Sequence, residues 1–174
     1  MQRDQILETL GDPLAQSLIE SSTPVRLAYT GLDGFPRVIP LAFHWNGAEF
    51  VICTTPNSPK VPALAANPSV AMTIDTETFP PNALLVRGTA TLETVDGIPP
   101  EYLVASRKQV SPEQFEDFEA QVRSMYTQMV RITVTPHWAK LLDFVTRLPQ
   151  PIEELMQANR LRDGEPQPDA RQSA

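Results

Sequence analysis

Seven residues, Thr54-Thr55-Pro56-Asn57-Ser58-Pro59-Lys60, hold three hydroxyls and one ammonium. They fall where a β-rich run gives way to a helix-favouring one. Hydroxyl donors, a lysine point charge and the free N–H groups of a helix start together suit an anionic phosphate. Read alone, Lys60 could equally be a solvated lysine at a helix start. Arg37, after Gly34-Phe35-Pro36, opens the run Arg37-Val38-Ile39-Pro40 and reads on its own as a hairpin-edge arginine. Arg87 lies between apolar residues in LLVRGTA, so it belongs to a solvent-facing pleat or a subunit interface, or neutralises a substrate carboxylate or second phosphate. His44 and His137 are the only histidines and have no acidic partner at ligand spacing, so no metal site is expected. Cys53, the one cysteine, sits in the apolar run Val-Ile-Cys and reads as a buried, inert thiol. It excludes an intramolecular disulfide and a multi-cysteine zinc site. There is no glycine-rich dinucleotide loop, Walker motif or nucleophile elbow, and no catalytic acid, base or nucleophile is assigned.

The elements that must position these groups follow from periodicity. Ile6, Leu7, Leu10, Leu14, Leu18 and Ile19 recur at helical spacing, and Pro13 divides them into two short pieces. Residues 25–30 form a strand, residues 31–34 a turn, and residues 37–43 a strand that pairs back. Asn46-Gly47 predicts a two-residue hairpin turn into a strand over 49–54. A short helix is expected over 60–66 and a strand over 69–75. A long strand over 83–93 carries Gly88, which signals a bulge or a close backbone approach. Helices are expected over 99–109 and 111–125, the second opened by a capping box from Ser111 to Gln114 with Pro112 at its first position. Strands over 130–135 and 139–145 finish the sheet. The run Leu148-Pro149-Gln150-Pro151 breaks the chain before a helix over 152–161. The expected organisation is one domain over 1–161, with a helical segment at 1–22, a C-terminal helical segment at 149–161 and a disordered tail over 162–174. The class is α+β, mainly antiparallel β, a closed barrel with peripheral helices.

The 174 residues suffice for one well-cored domain. Hydrophobic content of 41% and charged content of 20% are those of an ordinary globular protein. A formal net charge of −7 carries no basic footprint for nucleic acid, yet leaves room for local positive charge in a pocket. The polar N-terminal stretch has no signal-peptide h-region, and no apolar run has the length of a membrane helix. The expected location is the cytoplasm, away from any membrane.

Residues 24–75, through PRVIPLAFHWNG (36–47) and FVICTTPNSPKVPALAANPSVAMTID (50–75), resemble the FMN-binding split-barrel family of pyridoxamine 5′-phosphate oxidases and related flavin or deazaflavin reductases. The likeness extends over residues 24–148. It implies a split β-barrel and a flavin-dependent oxidoreductase. Thr54, Thr55, Ser58 and Lys60 would hold the FMN phosphate. Arg37 would reach the same phosphate, and the backbone of Val38, Ile39 and Pro40 would run along the isoalloxazine edge. The closing segment, from Ile132 to Pro149, is similar to the part of the family that ends in an Arg-Leu pair, which places Arg147 near a small-molecule substrate. The resemblance further implies a homodimer with the cofactor between subunits. A deazaflavin coenzyme in place of FMN, and a non-catalytic flavin- or ligand-binding protein, are the alternatives.

Overall fold

The chain enters through two helices, α1 (Arg3–Gly11) and α2 (Pro13–Glu20), broken where Pro13 predicts. Asp12 makes the break a cap: its carboxylate accepts from the Leu14 N–H at 2.8 Å, while Pro13 occupies a position that needs no N–H. Ile6, Leu10, Ala15, Leu18 and Ile19 turn inward, whereas Leu7 stays exposed. The structure, a computed structural model, describes residues 1–146 and 150–163.

β1 (Val25–Thr30) and β2 (Pro36–Leu41) form an antiparallel hairpin in the register Val25↔Leu41 to Thr30↔Pro36. β3 (His44–Trp45) pairs with β4 (Phe50–Thr54). The turn between them differs from the expected two-residue one, because Trp45 stands opposite Phe50 and four residues form the loop. The Asn46 side chain accepts from the N–H groups of Ala48 (2.9 Å) and Glu49 (2.8 Å), and Gly47 adopts φ +95°. The asparagine oxygen thus organises a wider loop than Asn-Gly alone would.

α3 (Lys60–Ala66) leads to β5 (Ser69–Asp75), then to the long strand β6 (Asn82–Asp96). α4 (Pro100–Ser106) and α5 (Pro112–Met125) follow, then β7 (Gln128–Asp143) and α6 (Gln150–Asp163). The Ser111 hydroxyl donates to Gln114 Oε1 at 3.3 Å and makes no cap bond to the helix, so the expected capping box is not formed. The two closing strands expected around Pro136 are one strand. Arg87 faces Trp138 but Gly88 faces Pro136, so His137 is the extra residue of a bulge. A β-carbon on Gly88 would lie 2.5 Å from the Thr135 carbonyl oxygen, so the expected bulge and the expected close approach both occur there.

Among the described residues seven strands pair, all antiparallel, in the order β2-β1-β5-β6-β7-β4-β3. The sheet does not close: β2 and β3 are its two ends, which corrects the expectation of a closed barrel. The main core gathers Leu27, Phe43, Phe50, Ile52, Leu84 and Ile132 with the inner faces of α1–α3. Each such side chain contributes about 1.5–3 kcal/mol of burial. A second core, of Ile98, Leu103, Phe115, Val122 and Met129, lies under the α4–α5 excursion between the two long strands. The expected disordered tail falls outside the described residues from 164 onward, and residues 162 and 163 belong to α6.

Candidate functional site

β4 ends at Thr54, and a turn in which the Ser58 N–H donates to the Thr55 carbonyl (3.1 Å) swings the chain into α3. This turn folds Lys60 back on the strand end. Lys60 is only 9% exposed, which overturns the solvated reading. Its ammonium donates to Ser58 Oγ at 2.6 Å and to Thr54 Oγ1 at 3.1 Å. No carboxylate pairs with it among the described residues. Burial alone lowers its pKa. The structure therefore places an unneutralised cation between two hydroxyls that can turn toward an incoming anion.

The helix start supplies less than expected. Pro59 and Pro62 have no N–H, and the Val61 N–H is spent on the Ser58 carbonyl at 2.9 Å. An anion here would rest chiefly on side chains. Thr55 is half-buried, with its carbonyl held in the turn.

Arg37 is not part of this group. It lies on the edge strand β2, half-exposed, and pairs with Asp33 at 2.6 Å. That contact holds the Asp33 carboxyl below its ordinary pKa, helped by the Phe35 N–H. Asp33 stands four residues before Arg37, a spacing visible in the sequence and unread. Val38 and Pro40 are exposed on β2, while Ile39 packs against the main core. Four strands separate β2 from β4 within the sheet.

Arg87 is exposed on β6 with its guanidinium 4.5 Å from the Trp138 ring centroid, beside a Thr89–His137 hydrogen bond of 2.7 Å. This cation–π pair sits at the bulge. Arg147, the other substrate expectation, lies outside the described residues. Cys53 packs on the second core, and its thiol is pushed up to about 12, first by burial and then by the nearby Glu101 carboxylate. Among the described residues no group of three or more His, Cys, Asp or Glu could hold a metal ion. Sequence reasoning passed over Arg131, which bridges Glu93 of β6 (2.7 Å) and Glu101 of α4 (3.1 Å), because both partners are remote in the chain.

The family model for pyridoxamine 5′-phosphate oxidase matches residues 12–143. No curated protein matches the chain. Among solved structures, an F420 reductase is 26% identical, with a TM-score of 0.55, over 72% of this chain and 94% of that one. General Stress Protein 26 from Bacillus anthracis is 16% identical, with a TM-score of 0.54, over 81% of this chain and 93% of that one. The heme storage protein HutZ from Vibrio cholerae is 14% identical, with a TM-score of 0.54, over 75% and 92%. With the open antiparallel sheet and its flanking helices, these likenesses make the fold an α+β split barrel. No helix among the described residues is long and apolar enough to cross a membrane.

Proposed function

The chain belongs to the pyridoxamine 5′-phosphate oxidase family, and from that premise we propose that it is an FMN-dependent oxidoreductase acting on a small molecule. The observation that carries this reading is Lys60: a buried ammonium between Thr54 and Ser58, with no carboxylate partner among the described residues. A cation buried without a counter-charge is costly, and a bound phosphate relieves that cost. The donor set therefore fits the phosphate of a flavin mononucleotide. FMN, when bound, supplies the hydride or electron transfer, which is why no protein acid, base or nucleophile is required.

The chain's own residues hold and orient. Lys60, Thr54, Ser58 and Thr55 take the phosphate. Val38, Ile39 and Pro40 offer the free edge of β2 to the ring system, and Pro40 can give only its carbonyl. Arg37 joins the phosphate by exchanging Asp33 for it. Arg87 and Arg147 contact the substrate. Two copies complete the site, and the protein works in the cytoplasm. A deazaflavin coenzyme is the second reading, favoured by the 26% identity to an F420 reductase.

Cofactor extracted from the purified protein and identified by mass spectrometry separates the two readings, and titration of the stripped protein with FMN and with deazaflavin tests both. Lys60→Met keeps the aliphatic stem and removes the charge. It should weaken phosphate-bearing cofactor binding about ten- to a hundredfold, the equivalent of a charge-assisted contact of roughly 1.5–3 kcal/mol. Failure of both cofactors to bind would sink both readings.

A further inference from the structure

Away from Lys60 the chain builds a second cleft. α2, β3 and the turn between α4 and α5 line a half-open cleft of about 220 Å3, its walls formed by Gln16, Ile19, Glu20, His44, Trp45 and Lys108. An apolar cavity of about 150 Å3 accepts benzene, so this space admits one ring with a small substituent.

Its walls differ in chemistry. Lys108 is the one lysine or arginine among its lining residues. The Lys108 ammonium donates to the Ile19 carbonyl at 2.6 Å and lies 4.1 Å from the Phe43 ring centroid. An ammonium has three donors, so capacity is left over. No carboxylate forms an ion pair with it among the described residues. Burial lowers its pKa, while Glu20 raises it. Ile19 lies in the last turn of α2, so Lys108 also answers the negative end of that helix. That accounts for the position of the ammonium but not for the space beside it. Trp45 is half-buried, tilted against Phe50 with centroids 4.6 Å apart, and gives the cleft an aromatic wall. His44, its neighbour on β3, makes no side-chain hydrogen bond among the described residues, so its ring nitrogens are available there.

We propose that this cleft binds a small monocyclic carboxylate, with the carboxylate on Lys108 and His44 and the ring against Trp45. The site is separate from the Lys60 group in residues and in elements: it uses α2, β3 and the α4–α5 turn, where the other uses β4 and α3.

The test titrates nitrogen-labelled protein with benzoate, benzamide and benzylamine, following amide and indole N–H resonances. Benzoate should shift the Trp45 indole and the backbone signals of His44 and Lys108 along one saturable curve. Benzamide should bind at least about tenfold more weakly, and benzylamine should not saturate. Lys108→Met should weaken benzoate at least about tenfold, the loss of one charge-assisted hydrogen bond. Glu20→Gln, an exposed change, should tighten it a few-fold by removing a like charge. Unsaturable shifts, equal affinity for benzamide, or shifts confined to residues 54–60 would overturn the proposal. Should Lys108→Met fail to fold, Glu20→Gln decides, and unchanged benzoate affinity in that variant rejects the site.

Discussion

Lys60 carries two opposed consequences of one position. Buried between Thr54 and Ser58, its charged form is disfavoured in the folded chain, and its pKa falls below 10.5. Between the lowered folded value and the unfolded one, the unfolded chain binds more protons, so stability rises with pH across that window. At neutral pH the buried charge is a cost, which Lys60→Met removes. The variant should therefore be at least as stable as wild type at pH 7, and the gap should shrink as pH approaches 10.5. Thermal unfolding of both proteins across this range checks it; a gap that does not change with pH would mean Lys60 is not desolvated. Cofactor affinity should fall in the same variant, separating binding from folding. Cys53 has the opposite standing. With its thiol held up near 12, it is almost wholly protonated at pH 8 and a poor nucleophile. Native protein should resist thiol-specific alkylation at that pH, and Cys53→Ser should leave cofactor turnover largely intact. Rapid alkylation of the folded chain, or turnover abolished with flavin still bound, would contradict a cofactor-centred reaction.

The β6–β7 pair is the element on which the sheet turns, and Gly88 is its tightest point. A β-carbon there meets the backbone of Thr135 at 2.5 Å and the Val134 side chain at 2.8 Å, neither of which can withdraw without moving β7. Gly88→Ala should cost about 1–3 kcal/mol, read as a lower denaturant midpoint; an unchanged midpoint would show that the bulge yields freely. Gly88 was legible in the sequence, because a glycine inside an apolar strand pattern has few other uses. Pro136 was not, since a proline locally reads as a stop. Only the register across from Gly88 shows that the missing N–H falls in a bulge, letting one 16-residue strand run through. The strand over 25–30, the helix over 60–66 and the strand over 69–75 were legible to the residue, each being preceded directly by a proline, Pro24, Pro59 and Pro68. β3 was not, because two residues carry no period. The same division holds for the candidate site. Thr54, Ser58 and Lys60 are close in sequence and meet in space, whereas the Arg131 bridge to Glu93 and Glu101 depends on tertiary packing that no local pattern encodes.

For the whole molecule, the open sheet leaves surface that a single copy does not cover. β2 is an end strand, so one side of its backbone has no partner in the sheet. On the same hairpin Leu32 (69%), Phe35 (71%) and Val38 (63%) are exposed, more large apolar surface than one short hairpin ordinarily shows to water. The chain's net charge of −7 opposes non-specific association, so a patch of this kind needs a specific cover. A second copy is that cover in the proposed function, and it brings the β2 residues 37–40 beside a phosphate group on the partner, which one chain alone keeps four strands apart. Light scattering at micromolar concentration should then give about twice the 19.3 kDa of the chain, with or without cofactor. Phe35→Glu places a charge in the patch without touching Lys60, Thr54 or Ser58. It should shift the protein toward the monomer and weaken FMN in parallel, because the β2 contacts to the ring leave with the partner. A wild-type mass near 19.3 kDa would rule out the shared site. A monomeric Phe35→Glu protein with undiminished FMN affinity would instead confine the cofactor to one chain, leaving Arg37 to its pair with Asp33.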